Sequence, residues 1–204
     1  MSKYILVLGS SVGVVGVAGV SYWKLSSNQE IKASLKERFK RGVSGRVLLD
    51  SVGDKHDSVW GQLAKEYKET YKDSVGALGL SDIDKDKIKD YCKSNSKSTE
   101  EGKFESYVEW CSRNTLRTQF NDKVSNKTWI DSKEQADWKD KATNYPNDNT
   151  GNLQIPKSDA SSGTIGKSEV TWEKIMNWCA PQTEIPFLNA EDVGYKRAES
   201  LCTK

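Results

Sequence analysis

Four cysteines, a single histidine and one Gly-Lys-Ser tripeptide are the places where this 204-residue chain could do side-chain chemistry. The cysteines fall in two near pairs, Cys92 with Cys111 and Cys179 with Cys202. In an oxidising compartment such pairs cross-link, and in a reducing one they remain buried free thiols. Of the three connectivities open to four cysteines, the local one joins neighbouring helices, which makes all four disulfide candidates. Zinc lacks both a Cys-x-x-Cys spacing and a histidine partner. A Cys–His nucleophile pair would have to use His56, yet Gly53-Asp54-Lys55-His56-Asp57 reads as a solvated, charged loop. The run Ser161 to Ser168, with Gly166 and Lys167, approaches a phosphate-binding loop, but Ser161 stands where the first glycine belongs. No apolar strand ending in Asp follows, and Ser168 is expected to cap a helix instead. Asp82, Asp84 and Asp86 imitate a calcium loop in which Lys87 and Lys93 occupy the positions of its glycine and its bidentate Glu. These acids are expected around a helix N-terminus. No catalytic, cofactor or metal residue is expected, and no enzyme activity.

The elements that hold these residues are mainly α. Apolar residues are 35% of the chain and charged ones 29%, so the core must be thin and rely on the 7 Trp, 8 Tyr and 4 Phe as anchors. Basic and acidic residues number 31 and 29 and interleave, as in Lys65-Glu66-Tyr67-Lys68-Glu69, which leaves no basic face for nucleic acid. Residues 25–56 read as a juxtamembrane helix and loop, with Ser26, Ser27 and Asn28 as caps, Ile31, Leu35 and Phe39 on one face, and Gly42 and Gly45 as its end. A helical domain follows over 57–145. Its helices are expected at Asp57–Val75 (Trp60, Leu63, Ala64, Tyr67, Tyr71, Val75 inward), Asp82–Ser94, Thr99–Asn114 and Asp131–Tyr145, the last opened by a Ser132/Gln135 capping box. Turn formers fill 146–167, which reads as a flexible linker. A C-terminal helical hairpin over 168–204 comprises Glu169–Cys179 and Asn189–Cys202. Arg46–Leu49 and Leu153–Ile155 are too short and isolated to predict a sheet. Phe104 to Trp110-Cys111 echoes Trp172 to Trp178-Cys179, and Trp60/Tyr67 shares its spacing with Trp138/Tyr145. Two degenerate copies of one helical unit would explain this, as would coincidence among abundant aromatics.

Tyr4–Trp23 is an uncharged run between Lys3 and Lys24, long enough for a helix to cross a hydrocarbon core of about 30 Å. Tyr22 and Trp23 suit the lipid–water boundary. Residues 1–24 therefore read as a transmembrane anchor, with a cleaved signal peptide as the rival. Gly9, Gly13 and Gly16 share one helix face at the spacing that lets membrane helices pack, which would support a homodimer; glycine's frequency in such helices is the plain alternative. Orientation pits two rules against each other. Lys24, Lys32, Lys36, Arg38, Lys40 and Arg41 would hold the C-terminal part inside, whereas the paired cysteines place it outside. The charge rule weakens for long exported parts, so an extracellular C-terminal part is the expectation.

The short Met-Ser-Lys start, the Gly/Val/Ser-rich apolar segment, the abundance of lysine and the dipeptides Trp110-Cys111 and Trp178-Cys179 resemble the large paralogous families of uncharacterised membrane-anchored proteins of haemotropic mycoplasmas. The resemblance implies a wall-less bacterium and a helical protein at the cell surface with an antigenic or host-contact role. It brings no catalytic residues with it. The function expected is thus a single-pass interaction or antigen module whose partners are the lipid bilayer and a host or neighbouring surface protein. The alternative is a membrane-tethered enzyme or transport accessory with an unrecognised site.

Overall fold

Ser34 opens the first helix of the computed structural model, its hydroxyl accepting from the Glu37 amide at 3.3 Å while Glu37 reaches back to the Ser34 amide at 2.9 Å. That reciprocal cap satisfies two amides that a helix start leaves unpaired. The structure describes residues 32–71, 76–147, 152–158 and 163–204. The run Tyr4–Trp23, its glycines Gly9, Gly13 and Gly16, and the caps expected at Ser26–Asn28 lie outside the described residues. Among those described, no helix is long and apolar enough to cross a membrane.

The chain is mainly helical. In order it forms α1 (Leu35–Gly42), β1 (Arg46–Leu48), α2 (Asp57–Thr70), α3 (Lys85–Asn95), a 3-10 turn (Glu101–Lys103), α4 (Phe104–Cys111), β2 (Ser112–Asn114), α5 (Leu116–Lys123), α6 (Gln135–Thr143), α7 (Trp172–Gln182) and α8 (Val193–Cys202). β1 and β2 pair antiparallel with Val47 opposite Arg113, so the Arg46–Leu49 segment read as isolated does find a partner. Two apolar cores form side by side. One runs from Leu35 to Cys111, the other from Leu116 to Cys202.

These cores are built to the same plan. Ser34, Leu35, Phe39, Val43 and Gly45 recur as Thr115, Leu116, Phe120, Val124 and Asn126. Ser34 and Thr115 are the N-caps of α1 and α5, the leucines and phenylalanines are buried, and the valine C-caps share φ near −111 and −112. Gly45 and Asn126 both turn the chain through positive φ, 70 and 61, the region where Gly and Asn are least penalised. Trp60 of α2 and Trp138 of α6 each donate Nε1–H to a carbonyl just before their helix, Asp50 and Ser132. The Tyr67 and Tyr145 hydroxyls each accept a buried amide from the chain beyond, Leu78 at 3.0 Å and Ile155 at 2.6 Å. Asp84 caps α3 and Thr171 caps α7, and each of those helices buries an isoleucine completely, Ile88 and Ile175, ahead of its cysteine. At the ends of α4 and α8, Ser112 bonds back to the Val108 carbonyl and Thr203 to the Glu199 carbonyl.

The correspondence revises the expected boundaries. The Trp-Cys echo pairs the wrong helices, because Tyr91-Cys92, not Trp110-Cys111, is the counterpart of Trp178-Cys179; Cys111 matches Cys202. Residues 32–56 are no separate juxtamembrane piece, since Leu35, Phe39 and Leu49 lie in the first core. The core boundary falls at Asn114/Thr115, not at 146–167, and α5, absent from the expected helices, begins the second core. Within the expected linker, Gln154 and Ile155 are buried, Ile165 packs on the second core, and Ile155 accepts the Ile165 amide. α6 starts at Gln135 without the predicted box; Ser132 takes the Glu134 amide instead. Thr171, not Ser168, caps α7, and the helix expected to reach Asn114 stops at Cys111, where the chain turns into β2.

The matched tyrosines test this plan. Tyr67→Phe and Tyr145→Phe each strand a buried amide, and each should cost about 1–3 kcal/mol in urea unfolding. A loss at one position alone would contradict the equivalence.

Candidate functional site

Each cystine is set by the helix pair that carries it. Cys92 near the end of α3 meets Cys111 at the end of α4 with Cα atoms 5.5 Å apart, and Cys179 of α7 meets Cys202 of α8 at 5.6 Å. All four cysteines are at most 2% exposed, and none is free. The same residue that ends each unit also closes its backbone. Leu49 donates its amide to the Cys111 carbonyl at 3.0 Å, and Ile130 donates to the Cys202 carbonyl at 2.8 Å. Around the first cystine Tyr67 meets Trp110 edge-on at 4.7 Å. In the second unit Phe120 stacks on Tyr195 at 4.7 Å. These rings lie in the same apolar cores as the cystines, a packing role.

The units meet at Arg113. Its guanidinium takes both Glu66 carboxylate oxygens of α2, at 2.6 and 2.7 Å, and donates to the carbonyls of Phe187 and Leu188 at 2.9 and 3.0 Å. Phe187 returns its amide to the Asn114 carbonyl, and Thr115 donates to Gly45. The loop bearing Phe187 joins α7 to α8 and is longer than the α3–α4 connection, so this clasp is peculiar to the second unit. Arg46 lies beside it, bonded to Ser112, Asn114 and the Val108 carbonyl at the end of α4. Burial, and then the Arg113 charge, push Arg46 down to about 10, so it stays cationic at neutral pH and opposes the dipole of α4.

His56 is not solvated. It is 7% exposed, stands at the start of α2, and its Nδ1 accepts the Asp50 amide at 2.8 Å. Burial, then the Lys55 charge, lower its pKa, while Asp50 raises it. Asp57 bridges Lys85 and Lys89 of α3, and those hydrogen bonds hold its carboxyl low. At the matching places on α7 stand Trp172 and Met176, packed on the second core. Asp84 caps α3, in keeping with acids at a helix start. Two shallow surface depressions, about 370 and 280 Å³, are lined by the loop 121–128 and by Arg38, Glu101, Gly102, Phe104 and Glu105. Neither draws on a cysteine or His56. Among the described residues no group of His, Cys, Asp and Glu is arranged to hold a metal ion. No family model, curated protein or solved structure matches the chain.

Reduction should loosen each unit separately. Loops with sequence separations of 19 and 23 are closed by the two bonds, and each constrains the unfolded chain by about 3 kcal/mol. Thermal melts with and without reductant, after non-reduced peptide mapping, check this; cross-links between the two units would overturn it. Arg113→Ala leaves Glu66 and two carbonyls without their donor and should cost about 1–3 kcal/mol. It should also raise proteolytic cleavage near Thr115, read by mass spectrometry of the fragments.

Proposed function

We propose that the chain is a surface-displayed interaction module, made of two duplicated disulfide-stapled helical units and carried on a membrane by residues 4–23. The observation that carries this reading is the pair of matched cystines. Two buried cross-links at equivalent positions suit a chain that matures in an oxidising compartment. An uncharged run ahead of the first unit, ending in Tyr22 and Trp23, suits a membrane anchor with the units outside. Small cores of this kind gain most from staples, because little apolar surface is available to each. Charged residues of both signs cover the helices and leave the partner to be recognised by surface shape and polar contacts. The partner class is a host or neighbouring surface protein, as the likeness to haemotropic mycoplasma proteins implies. Pairing through Gly9, Gly13 and Gly16 would make the displayed unit pair a dimer.

Expressed with its own N-terminus, the protein should remain with membranes after alkaline carbonate washing. Protease added to intact cells should then release disulfide-bonded fragments covering residues from about 32 onward. Full protection on intact cells, or recovery of soluble protein with a new N-terminus near Gly19, would overturn the anchored, outward display.

A further inference from the structure

The repeated plan serves as an internal comparison: what both units share is structural, and what one alone carries is free to do something else. One such difference lies between β1 and α2. Both units begin this connection with Asp-Ser, at Asp50-Ser51 and Asp131-Ser132, but the path from Asp50 to Trp60 is longer than that from Asp131 to Trp138. The added length carries the chain's single histidine. It is folded around Asp50, whose Oδ1 accepts the Val52 amide at 2.9 Å and whose carbonyl accepts Trp60 Nε1–H at 2.9 Å. The Asp50 amide goes to His56 Nδ1, so the neutral ring carries its proton on Nε2. Val52 at the tip is 78% exposed.

We propose that this Asp50–His56 loop is an acid-released latch, in which proton uptake at Nδ1 of His56 removes the acceptor of the Asp50 amide's hydrogen bond and frees the loop from α2. Protonated Nδ1 is a donor, and it would face the Asp50 N–H, another donor, at 2.8 Å. The charged groups around it act in both directions. On the loop, Lys55 opposes the imidazolium and Asp50 favours it; at the start of α2 stands Asp57; on α3, Lys85 and Lys89 pair with Asp57, and Lys89 also donates to the Gly53 carbonyl. Burial weighs with the cations, so the latched ring titrates below the ordinary histidine value of 6.5. A depressed histidine pKa means the latch contributes fully above about pH 6.5. Its contribution is lost as pH falls from there through the latched-state midpoint. Asp50 joins the two ends of the device, because its amide meets His56 and its carbonyl meets the buried Trp60. Release therefore reaches the first turns of α2, while the second unit, without a histidine, has nothing to release.

Hydrogen-exchange mass spectrometry on the full chain between pH 8 and 4.5 tests this, with the lone histidine's own midpoint read from exchange at its ring C2 position. After correction for intrinsic rates, peptides covering 50–60 should open about tenfold more per pH unit between the released and latched midpoints. Peptides covering 131–138 should stay flat. His56→Asn keeps an acceptor near the Nδ1 position without a titrating proton and should abolish the pH dependence. The proposal is overturned by a flat response in 50–60, by equal opening in 131–138, by unchanged pH dependence in His56→Asn, or by a ring midpoint at or above 6.5 in the native chain.

Discussion

Everything in each unit is anchored where its last helix ends on a cysteine. Cys111 and Cys202 are each tied twice, once through sulfur to the preceding helix and once through the carbonyl to the extended segment that follows the unit's first helix. The first tie holds α3 to α4, or α7 to α8; the second fastens the segment that follows the unit's first helix to its finish. Between those fixed ends α2 and α6 have only to pack one face. Trp60, Trp138 and Tyr67 on these helices, and Tyr145 just past the end of α6, do so with the polar tips spent on backbone groups, the tryptophans on carbonyls before the helix and the tyrosines on amides after it. Burying those rings thus carries no unsatisfied donor, and the same side chains that make the core also pin the loops at both of its ends. A unit this small can afford few other restraints.

The join between units follows a different logic. No stretch of free chain separates them, because β2 runs from Asn114 directly into the Thr115 cap of α5. The contact is polar at its centre, with Arg113 spread over the Glu66 carboxylate and two carbonyls of the longer α7–α8 loop. Arg46, half a turn of strand away, is crowded by that charge and is kept in place by the carbonyls at the end of α4. Gly45 is required here for a steric reason as well: a Cβ would meet the Thr118 hydroxyl of the second unit, and the residue's φ is 70. The matching Asn126 keeps the φ without that neighbour.

Much of the fold was legible in the sequence, and the failures have identifiable causes. Periodicity located α1, α2, α3 and α4 because Leu35 and Phe39, Trp60, Leu63 and Tyr67, Ile88 and Cys92, and Phe104, Tyr107 and Cys111 recur at helical spacing, while α6, α7 and α8 were bounded mainly by turn formers and caps around them. Proximity of the cysteines on consecutive helices pointed to the pairs the structure forms. The repeat was present in plain residues, Ser34-Leu35 with Phe39, Val43 and Ser44 against Thr115-Leu116 with Phe120, Val124 and Ser125. The Trp-Cys dipeptides mark non-equivalent helices, because Tyr91 fills the place of Trp178 in the first unit. α5 escaped notice because only Leu116 and Phe120 of its residues are buried, too few for a periodic signal. His56 read as solvated because its sequence neighbours are charged, and only the fold brings the Asp50 amide onto its ring. The described residues 152–158 and 163–165 are stitched to Tyr145 and to each other by backbone bonds that their polar, turn-forming composition does not announce.

Where the first unit sets Lys85 and Lys89 on α3 against Asp57, the second sets Trp172 and Met176 on α7 against its own core. The margins of two similarly built seams are therefore closed by different forces, ion pairs in one and apolar side chains in the other. Dissolved ions screen the half-buried lysine–aspartate bridges in part, and strongly hydrated anions drive apolar side chains together. Added salt therefore weakens a polar margin in the first unit that the second unit does not have, while the buried rings of both are drawn closer, so the two halves differ in how their edges, not their cores, respond to the electrolyte.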